Sequence, residues 1–217
     1  MNNTEYFEFL ERWKNNLLTL KAEKVFSIPK KTAIASVDLV NGFCKNGGFL
    51  YSKRCENVIN PNANLFKLAS YQHNVHDFFM VFDSHDEGAV EFMSFPEHCV
   101  KGSDETRHVE KVVEPLSSSW MHWIPKNSIA PNKNFPLNLI KNFKTFIVTG
   151  VCTDICVYQL ATFIKMYYNE NNIMTRVIVP ENCVNTYDSE DHPGDLYHLM
   201  FLYNMYINGI EIVKGIE

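Results

Sequence analysis

Short apolar runs, separated by stretches of helical periodicity or polar loop, constrain this chain's fold more than any other feature. They cover residues 32–39 (TAIASVDL), 77–82 (DFFMVF), an irregular 120–124, 145–151 (TFIVTGV), 176–179 and 210–213. Continuous apolar runs of this length suit strands buried on both faces of a parallel sheet. Helical spacing falls between them. Residues 4–24 carry Phe7, Leu10, Leu17 and Leu18 on one face behind Thr4 as a candidate N-cap, and 64–73, 154–168 and 192–206 read as further helices. Strands alternating with helices predict an α/β fold: a doubly wound, mostly parallel sheet with helices on both faces.

With 217 residues, 46 % apolar and 21 % charged, the chain has the balance of a globular protein and not of a disordered one. It reads as one domain, residues 1–217, with an N-terminal helical extension over 1–30. The net charge is −5 and no segment concentrates Lys and Arg, which argues against a nucleic-acid partner. No apolar run approaches the roughly 20 residues that span a bilayer, so no membrane partner is expected. The start, Met1-Asn2-Asn3-Thr4-Glu5, has no basic segment followed by an apolar one, and a cytoplasmic location is expected. Six scattered cysteines without paired or zinc-type spacing are expected to be free thiols, most of them packing residues. Monomer and homo-oligomer both remain open.

In such a sheet a ligand sits outside the carboxyl ends of the strands. Asp38 ends the first run, Asp83 and His85 follow the second, Lys126 lies just past the third, and Cys152 to Cys156 form the turn after the fourth. Polar and reactive residues thus collect at one edge. Gly150 is expected to let the chain turn out of the sheet, placing Cys156 in the opening turn of a helix. There free amides and the helix dipole lower a thiol's pKa and can hold an oxyanion. A packing cysteine is an equal reading, and Cys152 with Cys156 as a CxxxC redox pair is a further one. Asp38, desolvated at a strand end, suits a proton shuttle as well as a helix cap. Lys126 after Trp123-Ile124-Pro125 has an apolar approach that would bring an ammonium beside both groups. Asp83-Ser84-His85, with Glu91 and His98 later in a long loop, offers carboxylate and imidazole ligands suited to zinc, iron or manganese. Surface histidines are common, and the set can also be read that way.

VDLVNGFC (37–44), FDSH (82–85), FPEHCVKGSDET (95–106), IPKN (124–127), VTGVCTDICV (148–157) and the helix HPGDLYHLMF (192–201) are all present. With these stretches, in this order and from about residue 33 onward, the chain resembles the nicotinamidase branch of the isochorismatase-like cysteine hydrolases, its plant-type members most. The resemblance implies Cys156 as nucleophile, Asp38 as acid–base and Lys126 as third catalytic member. It also implies Asp83, His85 and His98 as ligands of one divalent metal ion, zinc first, with Glu91 a less firmly placed fourth. A cis peptide between Val151 and Cys152 is implied, with the backbone amides of Cys152 and Cys156 as oxyanion hole. Phe43, Phe95 and Val151 would line the substrate site, Phe95 where many relatives have Trp. The stretch 127–135 lacks the aromatics common in bacterial relatives, and residues 1–30 have no counterpart. The implied reaction is hydrolysis of nicotinamide to nicotinate and ammonia in NAD salvage, with pyrazinamide as a side substrate. Two other readings stand beside it: a hydrolase of the same superfamily acting on a ureido, carbamoyl or vinyl-ether substrate, and a non-enzymatic metal-binding or thiol-redox protein.

Overall fold

A computed structural model describes residues 2–131 and 134–217. The chain opens with helix α1 (Asn3–Asn15), capped by Asn2, whose side chain accepts from the Glu5 amide while Glu5 returns a bond to the Asn2 amide. This reciprocal cap places the helix start ahead of the expected Thr4. The expected helix over 4–24 is broken. After α1 come strand β1 (Thr19–Leu20) and a single turn α2 (Ala22–Val25). Leu17 and Leu18 continue the apolar pattern, but Leu18 is 73 % exposed, so the periodicity runs past the helix it suggests.

The central sheet is built from β2 (Thr32–Val37), β3 (Phe78–Asp83), β4 (Met121–Lys126), β5 (Thr145–Val151), β6 (Arg176–Pro180), β7 (Val184–Asn185) and β8 (Glu211–Val213). The order is β4-β3-β2-β5-β6-β8, with β7 beside β5, and every pairing is parallel. Alternate residues feed opposite layers, as the two-residue period of a strand requires. Ile34, Phe78, Met80 and Ile147 enter one core, whereas Ala33, Ala35, Phe79, Val81, Phe146 and Val148 enter the other. Between the strands lie α3 (Asn41–Cys44), α4 (Lys53–Asn57), α5 (Ile59–Lys67), α6 (Glu110–Val113), α7 (Leu137–Ile140), α8 (Tyr158–Glu170) and α9 (Gly194–Ile207). Ile59, Leu65 and Phe66 of α5 close the first core, and Leu160, Ile164 and Tyr168 of α8 the second. Each such side chain, fully buried, contributes about 1.5–3 kcal/mol. This is the parallel sheet covered on both faces that the sequence predicts. The helix expected over 64–73 starts earlier, at Ile59, and its far end is a wider π turn, Leu68–Gln72.

Two details of the sheet bear on where a ligand can bind. The chain runs outward through β2, β3 and β4, then returns to lay β5 on the other side of β2, so the strand order reverses between β2 and β5. In open α/β sheets ligands bind outside the carboxyl ends at such a point. Gly150 sits inside β5 with φ +117°, opposite Val37, and a Cβ there would stand 2.0 Å from the Val37 carbonyl oxygen. Its role is to let two backbones approach closely, not to turn the chain out of the sheet as expected. Among the described residues no helix is long and apolar enough to cross a membrane.

Candidate active site

Asp38 follows β2 directly and takes φ +53°, a conformation uncommon outside glycine. Its amide donates to the Val81 carbonyl, and its Oδ1 accepts from the Asp83 amide at 2.8 Å. The carboxylate is thereby fixed against the neighbouring strand end. Lys126, the last residue of β4 and fully buried, reaches across. Its Nζ lies 2.9 Å from Asp38 Oδ2 and 3.6 Å from Cys156 Sγ, and it contacts Asp83 Oδ1 closely. Cys156 belongs to a π turn, Thr153–Val157, that precedes α8, so it does not sit in the opening turn of an α-helix. The Cys152 carbonyl accepts from Ile155 and Val157 to close that turn. The Val151–Cys152 peptide is cis.

The electrostatics correct one expectation. Burial pushes the Cys156 thiol well up; Lys126 opposes this while the Asp38 and Asp83 charges add to it. The direction is upward, opposite to the lowering expected of a helix start. Burial, with the negative charge of Asp83, raises the Asp38 carboxyl to about 6 against the pull of Lys126. Burial also acts to raise Asp83, but Lys126, His85 and His98 hold it well below the usual carboxylate range. Lys126 would be depressed by burial alone; Asp38 and Asp83 keep it firmly charged.

Asp83 also faces away from Lys126, toward two histidines. Asp83, His85 and His98 present ligand atoms within 4.8 Å of one another, all buried. Asp83 Oδ1 is 3.3 Å from His85 Nε2, and Oδ2 is 3.5 Å from His98 Nε2. The His85 amide donates to Cys99 and its carbonyl accepts from Lys101, which draws the two histidine-bearing segments together. His98 Nδ1 lies 2.7 Å from the Pro96 carbonyl, so that nitrogen carries the proton and Nε2 offers a lone pair. Neither ring nitrogen of His85 has a hydrogen-bond partner although both are buried. The unpartnered His85 ring, the Nε2 of His98 and the Asp83 carboxylate, gathered within 4.8 Å, form a donor set that fits a divalent cation. Glu91 stands outside this set. Its Oε1 is 4.0 Å from His85 Nε2, and its Oε2 is occupied by the Ile129 amide at 2.9 Å.

A cavity of about 790 Å³ opens onto both groups, with Asp83, His98, Cys152 and Cys156 in its wall. Phe43, edge-on to the His98 ring, and Phe95 line it. Val151 is fully buried in the core and is not among the residues that line the cavity. Ile129, Ile155 and Tyr187 also line the cavity. Sequence reasoning missed them, because isolated apolar residues in loops carry no positional signal. Within the stretch 127–135, Asn132 and Lys133 lie outside the described residues. Cys152 is not disulfide-bonded to Cys156; both are free, and the Cys152 thiol packs against Cys55.

A buried Asp38–Lys126–Cys156 group thus lies at the reversal point of a parallel sheet, and its Lys126 also contacts Asp83 of the histidine-bearing trio, an arrangement that suits a cysteine hydrolase. The chain belongs to the isochorismatase family: residues 32–206 match the Isochorismatase domain. It is 25 % identical over 207 residues to Nicotinamidase 1 of Arabidopsis thaliana, covering 83 % of this chain and 84 % of that one. Solved structures of the same fold include a nicotinamidase from Bacillus subtilis (20 % identity, 84 % and 99 % of the two chains, TM-score 0.69). An N-carbamoylsarcosine amidase from Thermoplasma acidophilum is similar too (21 % identity, 85 % and 96 %, TM-score 0.64).

Proposed function

We propose that this protein hydrolyses nicotinamide to nicotinate and ammonia, with Cys156 as nucleophile. The observation that carries this reading is the sharing of Asp83: one carboxylate faces both Lys126 of the Cys156 group and the His85–His98 pair, and both open onto one cavity. Asp83, His85 and His98 would hold one divalent ion, zinc first with iron or manganese as alternatives, which would supply a Lewis acid for a ring nitrogen of the substrate. Asp38 takes the thiol proton as Cys156 Sγ attacks the carboxamide carbon, and the amides of Cys152 and Cys156 receive the oxyanion. Asp38 returns the proton to the departing nitrogen, so ammonia leaves and a thioester remains. Water, deprotonated by Asp38, then adds to the thioester carbon, and the C–S bond breaks to give nicotinate and the thiol. Lys126 holds Asp38 and Cys156 in register throughout. Phe43 and Phe95 supply apolar walls for the ring.

Ammonia release from nicotinamide by the pure protein tests the reading. A ring nitrogen gripped on one side and an amide attacked on the other must lie meta to each other. Pyrazinamide satisfies this, benzamide lacks the nitrogen, and picolinamide misplaces it. Sites built on a polar contact reject analogues lacking it by up to about 10⁴-fold, so benzamide is expected to lose at least about 10²-fold in kcat/KM. Equal turnover of benzamide would remove the metal-positioned ring from the account. A carbamoyl amino acid is the rival substrate, since Lys53 and Arg54 in the cavity wall suit a carboxylate. Arg54 is already committed, however, to Asp195 at 2.8 Å and to the Thr186 carbonyl at 3.1 Å.

The ligand set makes a separate prediction. His85→Ala and His98→Ala should purify with far less than one ion per chain by elemental analysis, while circular dichroism and Tm show a folded protein. Glu91→Ala should lose metal only partially, because one of its oxygens serves the Ile129 amide. Full occupancy in both histidine variants would exclude the site.

A further inference from the structure

Two of the three residues between Cys152 and Cys156, Thr153 and Asp154, are held from outside the site by contacts that take no part in the proposed hydrolysis. The Thr153 hydroxyl, fully buried, is 2.8 Å from His198 Nδ1. The other nitrogen of His198, Nε2, faces Glu181 Oε1 at 3.6 Å, and the same oxygen lies 3.1 Å from Lys14 Nζ. These four residues come from the π turn, α9, the turn after β6 and α1 respectively. The adjacent residue, Asp154, is gripped in parallel. His192 Nε2 lies 2.8 Å from Asp154 Oδ2, with its ring sandwiched between Tyr187 and Tyr197 at centroid distances of 3.9 Å. Helix α1 is itself pinned to α9 by Phe9 and Trp13 against Tyr203, and by Trp13 against Tyr206.

We propose that Thr153, His198 and Glu181 form a polar strut, a hydrogen bond at one end and a longer ion-pair contact at the other, that sets the position of the Cys156 turn and is anchored at its far end by Lys14 of the N-terminal helix. The chemistry rests on proton placement. In the tautomer that carries its hydrogen on Nε2, His198 points that N–H toward the Glu181 carboxylate and offers Nδ1 to the Thr153 hydroxyl. Thr153 and His198 are buried and Glu181 and Lys14 half-buried, so complementary donors and acceptors hold the geometry with little help from solvent. Cys156 must lie within reach of both Lys126 and Asp38, and small displacements of a reacting atom are costly. Thr153, His198 and Glu181 are positioning residues; none touches the reacting atoms. The N-terminal segment, which the family match does not include, thereby becomes part of the site's support.

The inference rests on Cys156 being the nucleophile, and its test is arranged to read both separately. Thr153→Val keeps the shape of the side chain and removes the hydroxyl; Thr153→Ser keeps the hydroxyl. Each is compared with the parent for nicotinamide kcat and KM, for Tm, and for the rate at which iodoacetamide alkylates Cys156, monitored by mass spectrometry of its peptide. Thr153→Val should lose roughly tenfold to a hundredfold in kcat with KM within about twofold, and its Cys156 should alkylate at least about threefold more slowly. Thr153→Ser should recover most of both. Glu181→Gln should move both readouts the same way by a smaller factor, and it decides the matter should Thr153→Val fail to fold. Parental rates in Thr153→Val, no recovery in Thr153→Ser, or parental alkylation in Glu181→Gln would each overturn the strut. A parent that alkylates at Cys156 but releases no ammonia from nicotinamide would sink the substrate reading, and the alkylation series would still test the strut.

Discussion

Cys156→Ala is expected to lose at least about 10³-fold in kcat, because removing the nucleophile closes the covalent route and not merely one contact. The neighbouring Cys152→Ala is expected to keep most activity. Both cysteines line the same cavity, and both are free and buried, so thiol chemistry alone does not distinguish them. Their surroundings do. Cys156 Sγ lies 3.6 Å from Lys126 Nζ and its thiol senses Asp38 and Asp83, whereas the Cys152 thiol meets Cys55 and Thr186. Only Cys156 has a cation and a proton acceptor beside it. Steady-state kinetics of the two variants would decide. A reversed ranking would move the chemistry to Cys152 and leave the Lys126 contact without a purpose.

Asp38→Asn should be comparably severe, with a loss of at least about 10³-fold in kcat, toward the upper end of what general acid–base groups supply. The substitution keeps the side chain's shape, and its amide oxygen can still accept from the Asp83 N–H. The amide nitrogen then faces the Lys126 ammonium, where a carboxylate oxygen now stands at 2.9 Å. Lys126 loses one of two counter-ions, and the Cys156 proton loses its destination. Two readouts should change: ammonia release falls, and iodoacetamide reacts with Cys156 more slowly. Tm should remain near the parental value, since the buried Lys126 keeps Asp83 as a partner. Turnover at the parental rate would take Asp38 out of the mechanism.

The residues of the candidate site were legible in the sequence because of where they fall, not what they are. Asp38, Asp83, Lys126 and Cys156 each follow or end an apolar run, and a parallel sheet brings such ends to one edge. What escaped depended on information that no local pattern carries. Burial, which pushes the Cys156 thiol up, is not written in the local pattern, and neither is the π turn that stands where a helix start was expected. Gly150 looked like a turn residue; its need for an absent Cβ comes from Val37, far away in sequence. Leu17 and Leu18 extended a helix on paper that the reciprocal cap at Asn2 begins and Asn16 ends. Thr153 and His198, in the middle of otherwise apolar segments, gave no sign of meeting. The two-residue strands β1 and β7 are too short to produce a periodic signal at all.

Strand β1 has a further meaning. It pairs in parallel with a two-residue strand, β9 (Gly215–Ile216), and beside it the Ala22 amide donates to the Glu217 carbonyl while Lys21 bonds the Glu217 carboxylate. These contacts join residues up to 196 apart. Closing so long a loop carries an entropic penalty that a few hydrogen bonds do not repay by themselves, so the ribbon has to wait until the sheet between has collapsed. It should therefore be the last feature to form and the first to fray. Amide exchange at Ala22 and Glu217 would then run ahead of exchange in β2 and β5, marking the seam from which the molecule opens.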